Sequence, residues 1–102
     1  MDTTTTTTAD ATEIPGYIVL GDGYADITLA SSVTVSGAQV TTLRMREPTV
    51  GDQLAMSKAK GTDAEREIGL SANLLEITPA EIATFSLRNY RRVQSALTAF
   101  LD

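Results

Sequence analysis

The side chains able to do chemistry in this chain are carboxylates and guanidinium groups, and their spacing sets none of them to a catalytic task. Histidine and cysteine are both absent. That removes the usual general base, the usual metal ligands and the thiol nucleophile. Asp22, Asp26, Glu47, Asp52, Asp63, Glu65, Glu67, Glu76 and Glu81 are scattered, mostly where turns and helix starts are expected, and no pair is spaced for acid–base work. The stretch GDGYAD at 21–26 has the flavour of a calcium loop, but position 32, where a bidentate glutamate would close it, is Ser32. It reads instead as a hairpin turn. The same stretch has neither the spacing nor the following helix of a phosphate loop. Arg88, Arg91 and Arg92 form a basic cluster, opposed as a nucleic-acid face by a net charge of −5. They read as a solvated face able to pair with Glu76, Glu81 or a partner. The expectation is a protein without catalytic, cofactor or metal site, bound to neither nucleic acid nor membrane.

A binding protein still needs elements to present its surface. The 102 residues suffice for one small domain. At this size ~35–40% of the unfolded chain's surface stays exposed, so the core is thin and a partner can supply missing burial. The start, MDTTTTTTADATE, has neither the basic opening nor the apolar run of a secretory signal. No apolar run approaches a membrane span. The cytoplasm is the expected compartment. Residues 1–13, with six consecutive threonines, read as a disordered arm. An arm that adds a strand to a partner's sheet is the alternative. Residues 14–102 form the single domain.

The first half of that domain has strand rhythm. Tyr17–Leu20 is a short apolar run ended by Gly21-Asp22-Gly23. Ile27, Leu29, Ser31, Val33 and Val35 then hold every second position. Ser36-Gly37-Ala38 supplies the next turn, and Thr41, Leu43 and Met45 continue one face of the following strand. Residues 17–46 thus read as an antiparallel hairpin or meander of two to three strands. A lone hairpin is marginal in water, so its apolar face needs a cover.

The second half, 49–101, supplies three to four short helices. Pro48 ends the strand, and Thr49 with Asp52 opens a helix whose inner face is Val50, Leu54 and Ala55, ending by Lys60 before Gly61. Thr62 with Glu65 opens the next, with Ala64, Ile68, Ala72 and Leu75 at helical spacing and Gly69 available for close packing. Thr78-Pro79-Ala80-Glu81 opens a third, anchored by Ile82 and Phe85, and Ser86 caps the last. Leu87, Tyr90, Val93, Leu97, Phe100 and Leu101 mark one stripe over that last helix, read first as core and second as a groove. Strands first and helices later predict an α+β fold.

The segment VTVSGAQVTTLRMREPTVGD, Val33 to Asp52, resembles the tail assembly chaperones of contractile-tailed bacteriophages and related prophages. In that family a short hairpin leads into a junction matched here by Leu43 and by Met45-Arg46-Glu47-Pro48-Thr49-Val50-Gly51-Asp52. The ending, ITPAEIATFSLRNYRRVQSALTAFLD, is similar too, and the likeness runs from about Ile27 to Leu101. The threonine arm and Ile14–Leu20 lie outside it. The resemblance implies a non-enzymatic assembly factor that binds the helix-rich tape-measure protein, keeps it soluble and helps tail-tube subunits polymerise around it. The tail tube protein and a second copy of the chain are further candidate partners. The partner-facing residues are expected among Arg46, Glu47, Gly51, Asp52, Tyr90, Val93, Leu97, Phe100 and Leu101. Arg46, Glu47 and Asp52 would fix the hairpin's angle on the first helix, and Gly51 would allow close approach. The alternative is a structural tube or adaptor subunit retained in the particle.

Overall fold

The structure is a computed structural model and describes residues 14–101. The expected threonine arm, 1–13, lies outside the described residues. The chain runs β1 (Ile18–Gly21), β2 (Tyr24–Val35), β3 (Ala38–Arg46), then α1 (Val50–Lys58), α2 (Asp63–Leu75), α3 (Pro79–Ala83) and α4 (Leu87–Phe100). Among the described residues this is the α+β order, a three-stranded antiparallel meander followed by four helices.

Each reversal follows from its residues. The expected turn at 21–26 is the β1–β2 connection, through Asp22-Gly23. Gly21 pairs with Tyr24, and a Cβ there would lie 2.2 Å from the tyrosine ring, so glycine lets that ring lie across β1. The β2–β3 turn is Ser36-Gly37, both with positive φ (53° and 81°), the signature of a two-residue reversal that matches strand twist. Glu81 of α3 accepts the Ser36 N–H at 2.7 Å and so ties the hairpin tip to the helical layer.

One face of the sheet carries Ile18, Ala25, Ile27, Leu29, Leu43 and Met45, all buried. α4 lies against β2 and α2 against β3, closing one core that includes Ala72, Leu74, Ile82, Val93 and Ala96. The opposite face is polar. There Arg44 pairs with its cross-strand neighbour Asp26 (2.8 Å) and sits 3.9 Å over the Tyr24 ring.

The alternation breaks once. Pairing jumps from Thr28↔Thr42 to Val33↔Val40, so Leu29–Ser32 on β2 face Thr41 alone. An odd number of extra residues reverses which positions of β3 point inward. Hence Thr41 is exposed and Val40 half-buried, against the expectation that Thr41 shares a face with Leu43 and Met45. Ser31 is exposed because it lies within the unpaired segment, between buried Leu29 and Val33. The bulge is held by Asn89, which is buried. Its Oδ1 accepts the Ala30 and Ser31 N–H groups (2.8 and 3.3 Å), and its Nδ2 donates to the Ser31 carbonyl and hydroxyl (both 3.1 Å).

The helix starts fall where the caps predict. Thr49–Asp52, Thr62–Glu65 and Thr78–Glu81 are reciprocal capping boxes. In α4 the Ser86 hydroxyl accepts the Asn89 N–H at 3.1 Å. The residue at that third position is amide rather than acid, and its side chain is turned to the bulge instead of the cap. α2 ends at Glu76, which takes a left-handed conformation (φ 59°). Gly69 does not serve close packing, since a Cβ there would meet nothing within 4 Å. Ala64 is exposed, and Leu87 stands 63% exposed outside the α4 stripe.

A candidate binding groove between three helices

The strand-to-helix junction is a clamp. Arg46, the last residue of β3, meets Asp52 of α1 through two bonds, Nη1–Oδ2 at 2.8 Å and Nη2–Oδ1 at 3.0 Å. The same carboxylate accepts the Thr49 N–H at 2.8 Å and its hydroxyl at 3.0 Å. Arg46 is the larger influence and the Thr49 backbone the next; together they hold the Asp52 carboxyl well below the usual carboxylate range. Two parallel bonds fix direction as well as distance. The N-terminal end of α1 is thereby aimed relative to the sheet.

The rest of α1 is laid on loosely. The helix contains no buried residue. Val50 is 77% and Leu54 54% exposed, and Ala55 is exposed too, so the expected inner face is an outer one. The physical reason is placement. The clamp directs Asp52 and Met56 toward α2, both only partly buried, which turns Val50, Leu54 and Ala55 away from the core.

A groove of about 530 Å³ opens between α1, α2 and the end of α4. Pro48, Val50 and Met56 form one wall, Leu70 with Asp63, Arg66 and Glu67 the second, and Leu97, Phe100 and Leu101 the third. Leu101 is 70% exposed at the mouth. The lining is mainly apolar; its charged groups, Asp63, Arg66 and Glu67, sit on α2, and Thr49 and Gln53 add neutral polar groups on the α1 side. Glu67 Oε1 accepts the Tyr90 hydroxyl at 2.7 Å and the Gln94 amide at 2.9 Å. Burial, then this bond to Glu67, pushes the Tyr90 phenol up.

The structure therefore distributes the expected partner residues. Leu97, Phe100 and Leu101 come together at the groove. Arg46 and Asp52 stand behind it as the clamp. Glu47 is exposed and uses its backbone N–H on Gly23. Gly51 is exposed, and a Cβ there would meet only Thr49 Oγ1 at 3.6 Å, so no close approach within the chain depends on it. Tyr90 supports Glu67 from behind, and Val93 is fully buried in the core. Met56, Glu67 and Leu70 were not singled out by spacing. The faint signal for Glu67 is that Tyr90 and Gln94 stand four residues apart on α4, placing two donors on one face.

The arginine cluster is only partly a solvated face. Arg92 donates to the Thr28 carbonyl at 2.9 Å and lies 4.4 Å over the Tyr17 ring. Glu81 bonds Ser36 and Thr78, and among the described residues neither it nor Glu76 pairs with Arg88, Arg91 or Arg92. Among the described residues no group of three or more acidic side chains is placed to hold a metal ion, and no helix is long and apolar enough to cross a membrane.

Comparison with curated proteins and with solved structures finds no match for this chain. The family model described as phage tail assembly chaperone proteins, E, or 41 or 14, matches residues 26–102. That span takes in the long hairpin, the clamped junction and all three walls of the groove. The chain belongs to the phage tail assembly chaperone family.

Proposed function

We propose that the groove receives an amphipathic helix of the phage tape-measure protein, keeping that client soluble in the host cytoplasm and promoting assembly of the tail tube around it. The observation that carries this reading is α1: a helix that buries none of its own residues and leaves Val50 exposed in the wall of a 530 Å³, mainly apolar groove. An apolar stripe on a long helical client is an aggregation hazard, and a helix laid in a groove is a standard way to cover one. Many copies along one client act together, so each contact can be weak and reversible. The chemistry needs no turnover, and chaperones of this kind are not an enzyme family.

The test is co-expression with the tape-measure protein of the same phage. The wild-type chain is expected to raise the soluble fraction of the client and to co-purify with it. Val50→Asp and Leu101→Asp are expected to abolish both while leaving the melting temperature in place, because both residues are exposed and such changes cost within ~0.5 kcal/mol. A client held equally well by the variants would refute the groove. Mass spectrometry of purified particles separates this role from that of a retained tail component: a chaperone is missing or strongly substoichiometric, and a structural subunit is present at lattice stoichiometry.

A further inference from the structure

The charges on the α2 wall do not cancel. Asp63 and Arg66 form an ion pair, and Arg66 also donates to the Gly61 carbonyl at 2.7 Å, so this pair contributes little net field. Glu67 is held differently. Both donors to its Oε1, the Tyr90 hydroxyl and the Gln94 amide, are neutral. Among the described residues no arginine or lysine forms an ion pair with Glu67, and its Oε2 has no hydrogen-bond donor. Two bonds from neutral groups fix a carboxylate in place without neutralising it. Half-buried beside Leu70, this group sets an oriented negative charge in the wall of an apolar groove.

An occupant that is apolar all round would leave that carboxylate desolvated and unpaired, which is costly. One that brings a cation beside its apolar stripe gains a charge-assisted bond instead. The net charge of −5 acts in the same direction, because it steers basic segments toward the protein. We propose that Glu67 selects the occupant: the helix that fits this groove carries a lysine or arginine flanking its apolar stripe, placed to meet the free oxygen of Glu67. This rests on the groove being the client site.

The experiment uses the full chain and two synthetic helical peptides of about 20 residues, long enough to cross a small domain. They share one leucine stripe and differ only in having lysine or glutamine at the flanking position. Fluorescence anisotropy is read for wild type, Glu67→Gln and Val50→Asp. Glu67→Gln keeps the acceptor for Tyr90 and Gln94, so its melting temperature is expected to match wild type. Wild type is expected to bind the lysine peptide about tenfold more tightly, the scale of one hydrogen bond to a charged group. The preference should shrink as salt is raised, and Glu67→Gln should bind both peptides alike. Equal binding of the two peptides by wild type, or a preference that survives Glu67→Gln, overturns the selection by charge and leaves the groove standing. Failure of wild type to bind either peptide, or binding undiminished by Val50→Asp, overturns the groove and this inference with it.

Discussion

Asn89→Ala is expected to destabilise the fold by an amount that can be worked from its contacts. The side chain makes two bonds of good length to β2 backbone, from the Ala30 N–H at 2.8 Å and to the Ser31 carbonyl at 3.1 Å. The Ser31 N–H at 3.3 Å and hydroxyl at 3.1 Å add weaker or exposed partners. At ~1 kcal/mol net for each strong bond, plus the cost of stranding whatever water fails to reach, the loss is ~2–4 kcal/mol. Ala30 and Ser31 are exposed, which holds the figure to that range. In a domain of this size the melting temperature should fall by about 10–25 °C. Thermal unfolding by circular dichroism reads this directly. Amide exchange adds a test that a mere cavity would not pass: the Ala30 and Ser31 amides, on exposed residues opposite a broken ladder, should be protected in wild type and exchange freely in the variant. Asn89→Asp probes the donor end. It keeps the acceptor but sets a carboxylate oxygen against the Ser31 carbonyl. The pKa of the introduced carboxyl should therefore be raised in the folded state, so the variant's deficit relative to wild type should narrow as pH falls toward 4. A melting change below about 4 °C for Asn89→Ala, with unaltered exchange at Ala30 and Ser31, would refute the view that this amide holds the bulge.

The remaining expectations concern charge and backbone. Asp52, Glu65 and Glu81 all have folded-state pKa values depressed by their partners, Arg46 for the first, the Thr62 backbone for the second and the Ser36 backbone for the third. Their contribution is present above the unfolded carboxylate range of ~4 and is lost as pH falls through the folded values, so stability should decline from about pH 5 downward. Asp52→Asn should be less stable than wild type at pH 7 and should lose less on acidification; parallel acid curves for the two would refute the clamp's role. Gly69→Ala should stabilise by ~0.5–1 kcal/mol, since the position is mid-helix and a Cβ there meets nothing, and urea unfolding measures it.

What could be read from the sequence was local. The three threonine boxes join residues three apart, so Thr49, Thr62 and Thr78 announced their helices without any knowledge of the fold. Alternation placed the strands, because Ile27, Leu29, Leu43 and Met45 obey a period of two on both sides of a tight turn. The bulge was invisible, because the group that stabilises it, Asn89, is 58 residues away from Ser31. The facing of α1 was misread for another reason. Val50 and Leu54 have the same helical spacing whether they meet their own core or another chain, so periodicity alone cannot tell an inward stripe from an outward one. Three of the groove residues, Leu97, Phe100 and Leu101, were legible as a stripe, but the wall opposite them depended on where the clamp sends α1.

A helix pinned at one end that encloses none of its own residues has little holding its far end. Swinging it by a few ångströms breaks no core contact, since none of its residues is enclosed. If the groove is the client site, that end can conform to passengers of different girth without a separate design for each. On that reading it can also let them go without unfolding anything.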